Sequence, residues 1–251
     1  MFLRAALLLL VGLLAGCVSS GSVDPLRTSE GRNEARDAYI QLGIGYLQQG
    51  EASRAKQPLR KALELDPSSA DAHAALALVF QTEMENKLAD EHYRQALSRR
   101  NDARILNNYG SFLFEQKRYD EALLSFSKAA EDNLYPERSR VFQNMGMTAL
   151  QLGQREQAET YFTRALRLDS RQPRALLELA QLAYEDKQYV PAKRYYDSFS
   201  RLSEQNARSL LLGIRLATIH QDRGQAASLA LQLKRLYPGT AEYQQFLSEQ
   251  R

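Results

Sequence analysis

Small residues return along this chain at a near-constant interval. Gly43, Ala77, Gly110, Gly146, Ala180 and Gly213 are separated by 34, 33, 36, 34 and 33 residues. A second series, Ala55, Ala89, Ala122, Ala158 and Ala192, keeps step with it, and Ala62, Ala96, Ala129 and Ala165 stand seven residues beyond their partners. A unit of this size cannot bury its own apolar face, so it folds by stacking on its neighbours. The units are helical. Leucine and alanine, which favour helices, number 72 of 251 residues, whereas valine, isoleucine and threonine, on which strands draw, number 18.

The first unit reads Tyr39-x2-Leu42-Gly43-x2-Tyr46, then Ala55-x3-Leu59, Ala62 and Pro67. This resembles the tetratricopeptide repeat (TPR), in which small residues sit where two helices cross closely and larger ones fill the gaps around them. Leu-Asp-Pro ends the second helix, because proline cannot continue it. The resemblance implies an all-α TPR superhelical solenoid of about six helix-turn-helix repeats over residues 29–239. Its units lie near 36–69, 70–102, 103–138, 139–172, 173–205 and 206–239, and 240–251 form a C-terminal cap.

Departures from the pattern carry their own expectations. The 36-residue unit places its extra length at Asn133-Leu134-Tyr135-Pro136. Phe199 stands at the last small position of the fifth unit, where packing must open or shift. Pro58 lies inside a second helix, which it can kink. The sixth unit's second helix, around Ala226 to Leu236, is out of step by about one residue. In the cap, Tyr243, Phe246 and Leu247 are expected to pack on the last unit, with Gln244, Gln245 and Glu249 outward.

The first seventeen residues read as an export signal. Arg4 supplies the positive start, and Ala5 to Ala15 is an apolar run broken only by Gly12. At about 11 residues it fits a signal core rather than a membrane span, which needs ~20. It ends in Leu14-Ala15-Gly16-Cys17, which resembles the lipobox of bacterial lipoproteins; the alternative is an ordinary cleaved signal with an incidental cysteine. The lipobox reading implies removal of residues 1–16, lipid modification of Cys17, and a flexible tether over 17–28, where Val18 to Pro25 has almost nothing to bury. Val18, rather than an aspartate, follows the cysteine, which resembles the pattern sorted to the outer membrane.

No chemistry rises above this background. Cys17 is the sole cysteine, so there is no intramolecular disulfide or cysteine-based zinc site. His73 falls on a packing position, and Asp90-Glu91-His92 are consecutive, so on a helix they point in different directions. No glycine-rich phosphate loop or Gly-x-Ser-x-Gly elbow occurs. An enzyme, a cofactor and a metal are therefore not expected. Thirty-three lysines and arginines face 30 acids, a net charge of +3. Basic pairs such as Arg99-Arg100, or Arg138 with Arg140, are interleaved with acids, so a nucleic-acid partner is not expected either.

First helices line the inner face of such a solenoid. In unit one the inward positions are Ile40, Ile44 and Leu47, with Leu78 of unit two nearby. The counterparts in unit three are the more polar Asn107, Ser111 and Phe114. An apolar groove at the N-terminal end suits an apolar segment of a partner. The competing reading has residues 29–37 covering that patch.

The resemblance narrows further. Asn33-Glu-Ala-Arg-Asp-Ala-Tyr39-Ile-Gln-Leu-Gly, Ala70-Asp-Ala-His73-Ala-Ala-Leu, Leu106-Asn-Asn-Tyr-Gly110, Leu134-Tyr-Pro-Glu-Arg138-Ser-Arg140-Val and Asn206-Ala-Arg-Ser-Leu-Leu-Leu-Gly213 resemble the PilF/PilW family of type IV pilus biogenesis lipoproteins. What this implies is a pilotin: a lipoprotein anchored at the periplasmic face of the Gram-negative outer membrane, delivered by the lipoprotein sorting machinery. It would bind pilus secretin subunits and promote their localisation and multimerisation. The rival is a scaffold lipoprotein of another envelope complex, of the β-barrel assembly type.

Overall fold

The computed structural model describes residues 24–250. Among them are a 3-10 turn, Pro25–Arg27, thirteen α-helices and no strand. The helices form six pairs: α1 (Ser29–Gln48) with α2 (Ala52–Leu65), α3 (Ala70–Thr82) with α4 (Asn86–Arg99), α5 (Ala103–Glu115) with α6 (Tyr119–Glu131), α7 (Arg138–Gln151) with α8 (Arg155–Leu168), α9 (Pro173–Glu185) with α10 (Tyr189–Ser200), and α11 (Ala207–Ile219) with α12 (Arg223–Leu236). A single helix, α13 (Ala241–Glu249), follows. The chain divides after Arg100 into two compact units, the first holding α1 to α4 and the second α5 to α13.

Each pair is made by the same local chemistry. One residue between its helices has a left-handed φ: Gly50, Met84, Lys117, Gly153, Lys187 and Gln221, with φ from 58° to 77°. The residue after it donates its N–H back into the first helix, as Glu85 does to the Phe80 carbonyl (2.8 Å) and Gln154 to the Ala149 carbonyl (2.8 Å). This bond satisfies carbonyls that the helix end would otherwise leave open and turns the chain into the second helix. At the starts of α1, α3, α5 and α11, the side chains of Thr28, Ser69, Asp102 and Asn206 accept from first-turn backbone N–H groups.

Close packing explains the small residues. A Cβ on Gly43 would stand 2.5 Å from Leu59 Cγ, one on Gly110 2.6 Å from Phe126 Cε1, and one on Gly146 2.5 Å from Phe162 Cε1. The first helix must lack a side chain there for the large residue of the second to fill the gap. In the sixth pair, Gly213 meets both Leu229 of α12 and the Tyr196 hydroxyl of the preceding pair. Gly213 stands eight residues before the turn residue Gln221, against seven in the other pairs, and Leu229 stands eight after it, against nine. The one-residue slip thus involves both helices, and Tyr196 occupies the adjoining space.

Several local expectations change. Residues 25–28 belong to the folded start rather than the tether: Pro25–Arg27 form the turn, Arg32 Nη1 donates to the Leu26 carbonyl (3.3 Å) and Thr28 caps α1. α2 runs through Pro58, which is buried. Phe199 is buried with Leu176, Leu177, Tyr196 and Leu212. In α13, Phe246 packs against Leu210, Leu211, Ile214 and Leu233. Leu247, expected to pack, is exposed, and Glu249, expected outward, pairs with Arg215. The nine-residue helix offers one turn-aligned stripe to α11, and Phe246 takes it.

Candidate functional site

In the first unit, the expected groove residues separate into two groups. Ile40 is only 4% exposed and packs on Ala62 of α2 and Ala72 of α3, so it offers no surface to a partner. Ile44, Leu47 and Leu78 are half-buried. Ile44 borders both Ile40 and a cluster of Ala55, Leu59, Ala75, Leu76 and Val79, and Leu47 borders the latter. Residues 29–37 do not cover this face: they are the first turns of α1 itself, which continues unbroken to Gln48. A helix cannot fold over side chains further along its own axis, so α2 and α3 do the covering.

In the second unit, the first helices α5, α7, α9 and α11 lie side by side. A cavity of about 930 Å³ is lined by Gln143 and Met147 of α7, Arg174, Leu177 and Glu178 of α9, Phe199, Arg208 and Tyr237, among others. A second, of about 260 Å³, is lined by Ser111, Phe114, Asn144, Met147 and Arg174. Met147 and Arg174 border both, so the two are parts of one groove. Asn144 Nδ2 donates to Asn107 Oδ1 (3.1 Å), tying α7 to α5 beside it. Of the third unit's inward positions, Ser111 and Phe114 thus line this groove, whereas Asn107 is buried behind Asn144.

Electrostatics differ along the chain. Arg208 donates to both carboxylate oxygens of Glu178 (2.6 and 2.7 Å), whose side chain is 6% exposed. This hydrogen bonding raises the guanidinium's pKa further above its ordinary range. In the first unit His73 is buried, with Nε2 on the Pro67 carbonyl (3.1 Å) and Nδ1 facing His92 Nδ1 (2.9 Å). With Nε2–H donating to the carbonyl, Nδ1 of His73 is left to accept from His92. Burial, and the neighbouring His73, push the His92 pKa down. Asp90 pairs with Arg94 (2.9 Å), and among the described residues no group of three or more His, Cys, Asp or Glu side chains could hold a metal ion. No helix among them is long and apolar enough to cross a membrane. Cys17 lies outside the described residues.

Comparison with known proteins fits this architecture. Models of the tetratricopeptide repeat match residues 101–171, and 40–81 with 144–207. Over 251 residues, 99% of this chain and all of the relative, the sequence is 62% identical to the type IV pilus assembly protein PilF of Pseudomonas aeruginosa. The chain belongs to the PilF family. A solved Pseudomonas aeruginosa PilF structure matches at TM-score 0.86 and 63% identity, covering 87% of this chain and 99% of that one. PilW, described as a widely conserved type IV pilus biogenesis factor, matches at 0.71 and 31%, covering 84% and 98%.

In this PilF-family chain, sequence reasoning missed the groove of the second unit and the Glu178–Arg208 pair. Their partners come from helices about 30 residues apart, and no local pattern marks them. It also missed the open side of α1, where Tyr39 and Leu42 are 36% and 48% exposed. Both hold consensus positions that an interior repeat would bury against the unit before it.

Proposed function

We propose that this protein is an outer-membrane lipoprotein pilotin of the type IV pilus. It binds secretin subunits and promotes their outer-membrane localisation and multimerisation. Full-length identity to a pilus assembly protein carries the reading, and Leu14-Ala15-Gly16-Cys17 behind an apolar core supplies the anchoring chemistry. A single acyl chain holds a protein only marginally, so stable anchoring needs more than one, as lipoproteins of this kind carry at their cysteine. An unassembled secretin subunit exposes apolar surface meant for its neighbours or for lipid. Ile44 and Leu47 of α1 and Leu78 of α3, all half-buried in the first unit, are suited to shield part of it without catalysis. The lipid sets the destination and the repeat domain holds the cargo.

Replacing Cys17 with Ser tests the carrier mechanism directly. Membrane fractionation should then find secretin monomers away from the outer membrane and multimers depleted. Normal secretin localisation and multimerisation in that variant would overturn it. Stable co-purification with a β-barrel assembly machine, and not with secretin, would favour the scaffold alternative.

A further inference from the structure

The first and last helices close the repeats differently. At the C-terminal end, α13 lays Phe246 on Leu210, Leu211, Ile214 and Leu233. At the N-terminal end, α1 leaves Tyr39 36% and Leu42 48% exposed. The counterparts of Tyr39 in the later pairs, His73, Leu106, Phe142, Leu176 and Ser209, are all buried, as is Leu76, the counterpart of Leu42 in α3. A solenoid end needs a polar outer face to stay soluble, so an apolar one left open calls for an occupant.

α1 has three sides. At about 100° per residue, Arg32, Ala35, Tyr39, Leu42 and Tyr46 fall within about 80° of one another, and this stripe holds no acid. Glu30, Glu34 and Asp37 lie on a second side, and Ile40, Gly43, Ile44 and Leu47 on the side turned to α2 and α3. Leu26, 46% exposed, stands at the start of the stripe, where Arg32 Nη1 donates to its carbonyl (3.3 Å). At the other end, the Arg54 guanidinium of α2 lies 4.4 Å from the centre of the Tyr46 ring. The acids that flank the stripe from α2 are each held by a base, Glu51 by Arg54 and Glu64 by Lys61. Leucines for the apolar boundary, tyrosines for the headgroup level and an arginine that can reach a phosphate make the composition of an interfacial helix face.

We propose that this stripe docks on the phospholipid surface that holds the acylated Cys17, with α1 lying in the headgroup region. The proposal rests on the lipid-anchored reading of Cys17, and the chain length between anchor and fold carries it. Only Cys17 to Val23 precede the folded start, where Arg27 N–H donates to the Asp24 carbonyl (2.9 Å). Seven residues reach at most about 25 Å, while Tyr39 and Leu42 lie about 15 and 20 Å along α1 from its first residue. The open face is therefore never far from lipid. Tethering makes the contact intramolecular, at an effective concentration of order mM for a short linker, so a few apolar side chains suffice. Docking in this way leaves Ile44 and Leu47, on another side of α1, clear of the lipid and open to a partner.

The chain contains no tryptophan, so a single introduced one reports its own surroundings. Tyr39→Trp and Gln41→Trp place it on and off the stripe, and both positions are exposed. Each variant is extracted from membranes, reconstituted into phosphatidylethanolamine–phosphatidylglycerol vesicles with and without dibrominated lipid, and recovered by flotation. Bromine should quench Tyr39→Trp at least about twofold more than Gln41→Trp. Adding Leu42→Glu to Tyr39→Trp should abolish that excess with unchanged Tm, since Leu42 is exposed. Equal quenching at the two positions, or an excess that survives Leu42→Glu, overturns the proposal. A chain that does not float with the vesicles fails the anchoring reading and the docking with it, whereas one that floats unquenched at position 39 overturns the docking alone. An emission shift of Tyr39→Trp on adding secretin subunits in detergent, without quenching in vesicles, would assign the face to a protein partner and also overturn it.

Discussion

Arg208 of α11 grips Glu178 of α9 through two parallel hydrogen bonds, at 2.6 and 2.7 Å. The carboxylate is buried and the guanidinium is 44% exposed. The pair joins the first helices of two successive repeats in the groove wall. Arg208→Ala leaves a buried carboxylate without its partner, which should cost about 2 kcal/mol, less than for a wholly buried pair because water reaches one side. Adding Glu178→Leu should recover most of the loss. Urea unfolding of both single variants and the double variant measures it.

The six turn residues predict a set of stabilising substitutions. Met84, Lys117, Lys187 and Gln221 hold left-handed φ values that favour glycine, as Gly50 and Gly153 show at equivalent places. Their side chains are exposed, so little packing is lost. Each replacement by glycine should add about 0.5–1 kcal/mol, the relief of strain exceeding the added freedom of the unfolded chain. Gly153→Ala should do the reverse, and Tm values report both.

Glycines inside the helices should respond oppositely to one another. Gly146→Ala forces a methyl against the Phe162 ring and should cost about 1–3 kcal/mol. Gly45→Ala, in the interior of α1 with nothing within 4 Å of its added methyl, should stabilise by about 0.5–1 kcal/mol. Thermal melts of the two variants should move in opposite directions.

His92 gives the first unit a pH dependence. Burial and the facing His73 hold its folded pKa below the usual 6.5. Between those two values the unfolded chain binds more protons, so the stability contribution is present above about pH 6.5 and is lost as pH falls through the folded pKa. The carboxylates whose pKa values are lowered, Asp66, Asp169, Glu83 and Glu249, act at more acid pH. Tm should therefore decline as pH falls below about 6.5, and His92→Phe should flatten the onset of that decline.

Placement of Ile44 decides how the apolar face can be probed. A charge there enters two apolar clusters, so Ile44→Glu should lower stability by about 2–3 kcal/mol, and a loss of binding in that variant would not locate a site. Leu78 is half-buried. Under the proposed function, Leu78→Gln should keep Tm within a few degrees and weaken secretin capture in pull-downs from membranes. Unchanged capture would remove Leu78 from the docking face.

The interval between small residues was legible because close helix crossing is a local demand. Gly110 and Phe126 must meet within one unit, and the chain repeats that demand about every 34 residues. Helix class and repeat identity follow from it. The turn positions were half-legible: Gly50 and Gly153 mark them, but Met84, Lys117, Lys187 and Gln221 carry no glycine, and only the hydrogen-bonded backbone reveals the same conformation.

What surrounds a side chain was decided by tertiary structure alone. Periodicity places Ile40 and Ile44 on one helical face, yet only the positions of α2 and α3 determine that Ile40 is covered while Ile44 is half-covered. Arg208 and Glu178 look like ordinary surface charges in the sequence, and stacking of α11 on α9 makes them a contact that buries the carboxylate. The sequence by itself determined the repeat, the helical class and the family, because these rest on spacing along the chain. Which residues are free to bind rests on how neighbouring helices superimpose, and that is a property of the packed fold.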